Sequence, residues 1–162
     1  MIVYIVRHAW AGQNGDPAYP NDSERPLTES GRKRFQRVVK KLVKRGFNPA
    51  AVATSPLVRT EQTAAVIVER CPAHPPLSVL TALAPGSDLD ALLEWTRGQA
   101  AGDVAWVGHA PDVESLTGAL IGDADCRIAF DKGAVAAVQF GSKIAAGHGE
   151  LLWLANAELL RC

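Results

Sequence analysis

The sequence is poor in the features that define disulfide-bonded, metal-bound and membrane proteins. Its three cysteines, Cys71, Cys126 and Cys162, form no pair at a motif spacing, so neither a disulfide framework nor a zinc site is expected. No apolar run approaches the roughly 20 residues that span a bilayer. Lys plus Arg and Asp plus Glu each number 17, so the formal net charge is zero, which argues against a domain that coats polyanions.

The first apolar stretch, Ile2–Val6, is interrupted by Arg7, which makes it too short for the core of a signal peptide. Free thiols are typical of a reducing compartment. We therefore expect a cytoplasmic protein that does not act at a membrane.

The composition is that of a packed globule, because 48% of the 162 residues are hydrophobic and 21% are charged. This length fits one domain, which we expect to span residues 1–162. Short apolar runs alternate with longer amphipathic stretches, an order that predicts an α/β fold, a three-layer α/β/α sandwich with a mainly parallel central sheet. The predicted strands are Ile2–Val6, Val52–Thr54, Val104–Gly108, Val135–Phe140 and Leu151–Leu154.

Helices are predicted between these strands. The first begins near Thr28, a capping residue, and ends at Gly46. The second covers about Val58–Arg70, the third about Asp88–Arg97, and the fourth begins after Pro111.

The polar face of the first helix is basic. It carries eight of the seventeen basic residues, namely Arg32, Lys33, Arg34, Arg37, Lys40, Lys41, Lys44 and Arg45. A solvated helix face is the usual explanation of such a pattern, and docking of an acidic protein partner is the alternative. Because no aromatic residues are interleaved with these charges, nucleic acid is not an expected partner.

Histidines and arginines follow several of the predicted strands. Arg7 and His8 follow the first strand, His109 follows Val104–Gly108, and Arg59 opens the second helix. In open α/β sheets the ligand binds beyond the carboxyl ends of the strands, so these side chains should meet there. Guanidinium forks match phosphate oxygens, a neutral imidazole can attack phosphorus, and a second, protonated imidazole can donate hydrogen bonds to the transferring group. The pattern predicts a phosphoryl-transfer site.

Sequence blocks around these residues carry a family resemblance. They are Arg7-His8-Ala9, Arg25-Pro26-Leu27-Thr28-Glu29-Ser30-Gly31, Ser55-Pro56-Leu57-Val58-Arg59-Thr60-Glu61-Gln62-Thr63-Ala64 and Val107-Gly108-His109-Ala110-Pro111. In this order they resemble the histidine phosphatase (phosphoglycerate mutase-like) superfamily. The short length and these blocks are similar to its SixA-type phosphohistidine phosphatases. The resemblance implies a phosphoglycerate mutase-like fold.

The resemblance also implies roles for single residues. His8 would be the nucleophile that becomes phosphorylated, Arg7 and Arg59 would hold the phosphoryl oxygens, and His109 would stabilise the transition state. Arg25 and Ser55 would bind substrate at the border of the phosphate pocket, with loop anchoring and a turn role as their alternatives. No cofactor and no metal are expected.

Two positions depart from the family pattern. Ala9 stands where the family usually has glycine, so the backbone there must have a negative φ. Ala82 stands where many broad-substrate members have a glutamate as general acid, and the nearest carboxylate, Asp88, reads as a helix cap. An alcohol leaving group needs such an acid, whereas the less basic imidazole released from phosphohistidine can leave without it.

These observations favour a metal-independent phosphatase that forms a phosphohistidine intermediate on His8. The favoured substrate is a phosphorylated protein, such as a histidine-containing carrier or a phosphotransfer domain. A phosphatase for small phosphate esters, a mutase and a non-catalytic phosphate-binding module are the alternatives.

Overall fold

A computed structural model describes residues 1–99 and 102–162. Within these residues the strands are β1 (Ile2–Arg7), β2 (Ala51–Thr54), β3 (Leu77–Val79), β4 (Val104–Gly108), β5 (Val135–Phe140) and β6 (Gly149–Ala155). The α-helices are α1 (Glu29–Val43), α2 (Val58–Arg70), α3 (Leu89–Arg97) and α4 (Asp112–Ile121). No helix of the described residues combines the length and the apolar character needed to cross a bilayer.

The strands form one sheet in the order β3-β2-β4-β1-β5-β6. The pairs β3–β2, β2–β4 and β4–β1 are parallel, whereas β5 runs antiparallel to both β1 and β6. The prediction of a mainly parallel sheet is thus confirmed. Because β2, β4 and β1 are neighbours and run in one direction, their carboxyl ends lie side by side. We call this the carboxyl edge of the sheet.

Helices cover both faces of the sheet, which confirms the three-layer architecture. The two faces follow from the alternation of side chains along each strand. On one face Tyr4 and Val6 of β1 belong to a buried cluster with α1 and α2, whereas Val3 and Ile5 pack with α3 and α4 on the other. Helix residues of the first cluster are Phe35, Val38, Val39, Leu42, Ala64, Val66 and Ile67, and those of the second are Leu92, Leu93, Val113, Leu116 and Leu120.

The helix starts agree with the predicted caps. The Thr28 side chain accepts a hydrogen bond from the Gly31 amide at 2.9 Å, and the Asp88 side chain accepts one from the Ala91 amide at 3.1 Å. Each bond satisfies an amide that has no partner inside its own helix. Asp88 is therefore a helix cap, as expected.

One strand was not predicted. β3 is a three-residue strand that pairs with β2 at the edge of the sheet, and its Leu77 and Val79 are 41% and 52% exposed. A strand this short and this exposed has no alternation long enough to read in the sequence. β6 extends beyond the predicted Leu151–Leu154 at both ends.

Candidate active site

A pocket of about 670 Å³ opens at the carboxyl edge of the sheet. Five of the six residues predicted for the site line it, namely Arg7, His8, Arg25, Arg59 and His109. The other lining residues are Ala11, Gly12, Gln13, Asn14, Asp22, Pro85, Ala110 and Lys132. The arrangement follows from the fold, because β1 delivers Arg7 and His8, β4 delivers His109, and Arg59 lies in the first turn of α2 after β2.

The backbone and ring of His8 are both held in place. Its amide donates to the carbonyl of Gly108 at 3.0 Å, and its Nδ1 lies 2.7 Å from the carbonyl oxygen of Ala9. Because a carbonyl only accepts, Nδ1 must carry the ring hydrogen. The lone pair is therefore on Nε2, the nitrogen that a nucleophile would use.

Ala9 fits the position where the family usually has glycine. It is fully buried, its φ is not positive, and its amide donates to Thr63 Oγ1 at 3.0 Å. The methyl group thus needs no strained backbone.

His109 lies close to His8, with the ring centroids 5.4 Å apart. Its Nε2 is 2.9 Å from Ser55 Oγ. Ser55 is fully buried and is not among the residues that line the pocket, but its hydroxyl contacts His109, which does line it. The hydroxyl lies where it can orient the His109 ring, and direct binding of substrate by Ser55 stays a prediction.

Burial makes both imidazoles poor bases. It lowers the pKa of His8 from 6.5 to about 3, with the hydrogen bond to Ala9 opposing the shift and the charges of His109, Arg59 and Arg7 adding to it. Burial, followed by the charge of Arg59, lowers the pKa of His109 to about 4. Neutral His8 matches the predicted nucleophile. The protonated state expected for His109 is disfavoured by the protein alone and requires a nearby negative charge, such as a phosphoryl group.

Asp22 ties two arginines together at the pocket wall. Its Oδ1 accepts from Arg25 Nε at 2.8 Å, and its Oδ2 lies 3.1 Å from Arg59 Nη1. Arg59 Nη1 also donates to the Asp22 carbonyl at 2.8 Å, and Arg25 Nη1 donates to the Gly12 carbonyl at 2.6 Å. The hydrogen bond from Arg25, with the charge of Arg59, lowers the pKa of Asp22, so this carboxylate is ionised. Arg25 thus both anchors the loop and lines the pocket.

Three buried donors of the pocket residues have no hydrogen-bond partner within the described part of the chain. They are Arg7 Nε, Arg59 Nε and His109 Nδ1, the last being a donor in the tautomer whose Nε2 accepts from the Ser55 hydroxyl. Arg7 is held through Nη1, which donates to the carbonyl of Phe130. A buried polar group without a partner costs about 1–3 kcal/mol of stability. Several such groups in one pocket therefore indicate a ligand that accepts their hydrogen bonds. A tetrahedral oxyanion offers the acceptors that this set lacks.

The pocket offers no ready general acid. Ala82 lies in a short 3-10 turn, Thr81–Leu83, and supplies no titratable group. Among the described residues, Asp22 is the one carboxylate on the pocket wall, and it is ionised. The absence of a protonated carboxylic acid inferred from Ala82 therefore extends to the whole described wall.

Sequence reasoning missed Asp22 and Lys132. The signal for Asp22 was its spacing of three residues before Arg25, which permits a local ion pair. Lys132 precedes β5, and because β5 is antiparallel to β1 its amino end lies at the carboxyl edge. A search restricted to the residues that follow strands does not find it.

Comparisons with known proteins show the family to which the chain belongs. Residues 3–84 match the model of the histidine phosphatase superfamily (branch 1). An uncharacterized protein of Picosynechococcus sp. is 39% identical over 118 residues, which are 70% of this chain and 68% of that protein.

Solved structures show the same fold over nearly the whole chain. The protein histidine phosphatase SixA, complexed with tungstate, aligns with a TM-score of 0.82 and 26% identity over 99% of both chains. A Nakamurella multipartitia protein assigned to SixA aligns with a TM-score of 0.72 and 25% identity over 96% of both chains.

Proposed function

We propose that this chain, which belongs to the histidine phosphatase superfamily and is similar to its SixA-type members, hydrolyses phosphohistidine on a protein through a phosphorylated His8. Membership of the superfamily, together with the similarity to solved phosphatases, supports a hydrolase of phosphoryl groups. The nucleophile, the remaining catalytic roles and the phosphohistidine substrate are our proposal.

The set of unpartnered donors supports this function best. Arg7 Nε, Arg59 Nε and His109 Nδ1 are buried, and their residues share a pocket with His8, whose Nε2 carries a free lone pair. Donors that are already in place need no reorganisation when negative charge develops on a transferring phosphoryl group. The proposed reaction draws its positive charge from guanidinium groups and needs no metal ion.

The first step transfers the phosphoryl group to the enzyme. Nε2 of neutral His8 attacks phosphorus and a new N–P bond forms, while the N–P bond to the substrate imidazole breaks; that imidazole has taken a proton from solvent on its other ring nitrogen, so it leaves neutral. Arg7 and Arg59 hold the equatorial oxygens. His109 takes a proton from solvent as the phosphoryl charge enters the pocket and then donates a hydrogen bond to the phosphoryl group.

The second step returns the enzyme to its starting state. Water attacks phosphorus, the N–P bond to His8 breaks, and inorganic phosphate leaves. His8 departs as a neutral imidazole because Nδ1 has kept its hydrogen throughout.

The leaving group decides between substrate classes. A positioned acid contributes about 10²- to 10⁴-fold when an alkoxide departs, and the one carboxylate of the described pocket wall, Asp22, is ionised. Phosphohistidine whose ring has been protonated by solvent releases a neutral imidazole, which is a far weaker base than an alkoxide. We therefore favour a phosphoramidate over a sugar phosphate or other small ester.

The experiment compares substrates and traps the intermediate. The protein is incubated with a phosphorylated histidine-containing carrier protein and, separately, with a panel of sugar phosphates. We expect faster release of phosphate from the carrier protein, and transfer of radiolabel to the peptide containing His8 under alkaline conditions. A preference for the panel would overturn the substrate, and turnover without label on that peptide would overturn the nucleophile.

Two variants test the roles of the pocket residues. His8→Ala should abolish turnover, and equal turnover of the parent and this variant would contradict the mechanism. Arg59→Ala should lower kcat/KM by about 10²-fold or more, as expected for the loss of one preorganised donor. Treatment with EDTA should leave the rate of the parent unchanged.

A further inference from the structure

A second pocket, of about 430 Å³, adjoins the first and shares two of its lining residues, Arg7 and Lys132. We call it the flanking pocket. Its other lining residues are Trp10, Arg34, Asp131, Ala157 and Glu158. Arg7 and Lys132 form the boundary, so a substrate whose phosphoryl group enters the first pocket brings its neighbouring residues over the second.

The aromatic wall of the flanking pocket is rigid. The Trp10 ring lies against Gly133, where a Cβ would stand 3.0 Å from it, and the Arg34 guanidinium lies 4.3 Å from the ring centroid. Arg34 Nε donates to the carbonyl of Cys162 at 3.1 Å, which fixes the guanidinium over the ring. A half-buried tryptophan held on two sides offers a fixed apolar surface next to a cation.

The charges of the flanking pocket favour an anion. Arg7, Arg34 and Lys132 face two acids, and one of these, Asp131, accepts a hydrogen bond from Asn156 Nδ2 at 2.6 Å. Among the described residues no Asp or Glu carboxylate lies within 4 Å of a nitrogen of Lys132 or Arg34, although Arg34 Nε donates to the Cys162 main-chain oxygen. Glu158 is the remaining acid, so the lining has an excess of one positive charge when Arg7, which both pockets share, is counted. A lysine without a carboxylate partner attracts negative charge.

We propose that the flanking pocket binds an acidic side chain next to the phosphohistidine of the substrate protein. The carboxylate would meet Arg34 and Lys132, and its methylene stem would pack on Trp10. This inference rests on the proposed function and adds to it a preference for an acidic residue beside the phosphohistidine. A free phosphoramidate or a small phosphate ester has no group that reaches this pocket.

The test uses two synthetic phosphohistidine peptides that differ only in carrying Glu or Gln beside the phosphorylated residue. We expect the parent to hydrolyse the Glu peptide with a kcat/KM about fivefold higher, as expected for one partly exposed charge contact. The Glu peptide should have the lower KM and a similar kcat. The ratio of the two kcat/KM values should decrease in 0.5 M salt, because salt screens contacts between charges.

Variants of the flanking pocket should change this preference. Lys132→Ala and Arg34→Gln should bring the ratio between the two peptides close to one, and Lys132→Glu should reverse it. Lys143→Ala is the matched control, because Lys143 follows the carboxyl end of β5 at the opposite edge of the sheet, and it should keep the parental ratio.

The outcomes separate the inference from the function on which it rests. Equal hydrolysis of both peptides by the parent, or a preference that survives Lys132→Glu, would overturn the flanking pocket and leave the proposed function intact. Failure of the parent to hydrolyse either peptide or free phosphoramidate would overturn the proposed function itself.

Discussion

Asp22 is the carboxylate of the described pocket wall and affects the pocket in two ways. Its carboxylate contacts Arg25 and Arg59, so it both aligns these cations and reduces the positive charge that an incoming oxyanion meets. These two effects have opposite signs. Alignment favours turnover, whereas the negative charge opposes binding of the phosphoryl group.

Asp22→Asn should separate the two effects, because asparagine keeps the shape and removes the charge. Loss of about 1 kcal/mol of Coulomb repulsion should tighten inhibition by tungstate about fivefold. Weaker alignment of the two arginines should lower kcat about tenfold. Inhibition constants and initial rates on phosphoramidate measure both changes.

The matched control is Asp16→Asn, in the same loop, where the carboxylate accepts from the Ala18 amide and does not line the pocket. This substitution should leave both kcat and the inhibition constant of tungstate unchanged. A fall in kcat together with weaker tungstate inhibition would show that Asp22 acts by alignment alone.

Single site residues were predictable where a residue type suited to phosphate chemistry stands at the end of a strand or at the start of a helix. Arg7, His8 and His109 stand at strand ends, and Arg59 stands at a helix start, so the sequence brings them to one edge. Asp22 lies in an irregular loop, whose path depends on tertiary contacts that no periodicity encodes. Ser55 also follows a strand, and its contact with His109 Nε2 joins residues far apart in the sequence, which residue type and position alone do not predict.

At the scale of elements, the start of α1 positions the segment that follows His8. The Thr28 amide donates to the Trp10 carbonyl at 3.0 Å, and a Cβ on Gly31 would stand only 2.3 Å from that carbonyl oxygen. Gly31 therefore allows the first turn of α1 to approach the backbone of Trp10. This contact fixes one wall of the flanking pocket.

Gly31→Ala should therefore destabilise the protein. The added methyl group meets backbone rather than a flexible side chain, so the helix or the loop must shift, at a cost of about 1–3 kcal/mol. Urea unfolding measures the change. Gly141→Ala is the control, since a Cβ there meets nothing within 4 Å, and it should change the free energy of unfolding by less than about 0.5 kcal/mol. Equal effects of the two substitutions would contradict the close contact.

The elements themselves were largely predictable because their signals are local. Helices α1 and α3 have a capping side chain followed by an apolar stripe, and the interior strands are short apolar runs. The edge strand β3 forms by pairing with β2. Because this pairing is a tertiary contact, the three residues of β3 carry no local signal that predicts it.

At the scale of the whole molecule, folding buries two imidazoles in their neutral form. The pKa of His8 falls to about 3 and that of His109 to about 4, against an ordinary value of 6.5 for the unfolded chain. Between these values the unfolded chain binds more protons than the folded one. The contribution of these two rings to the free energy of unfolding is therefore fully present above pH 6.5 and is lost as the pH falls towards 4.

The free energy of unfolding should accordingly decrease on acidification from about pH 6.5 to about pH 4.5. Each buried imidazole contributes up to about 1.4 kcal/mol per pH unit in this window. Urea unfolding at several pH values measures the slope for the parent and for the double variant His8→Asn and His109→Asn. The variant should show a clearly flatter dependence, and an unchanged slope would contradict the burial of neutral rings.

The sheet topology explains both the success and the limit of prediction at this scale. Parallel neighbours bring residues from distant parts of the sequence to the carboxyl edge, so the first pocket follows from strand order. The flanking pocket also needs the antiparallel β5 and residues near the end of the chain, such as Glu158. The rule that ligands bind at the carboxyl ends of parallel strands does not predict that β5 and the residues near Glu158 form one pocket.

The hydrogen bond between the His8 ring and the Ala9 carbonyl would also fix the chemistry of the proposed phosphorylated enzyme. With Nδ1 occupied, a phosphoryl group carried by His8 must be attached to Nε2. Of the two regioisomers of phosphohistidine, the enzyme would form the tele form and exclude the pros form. One main-chain oxygen would thus set the regiochemistry, and with it the chemical lifetime, of the adduct.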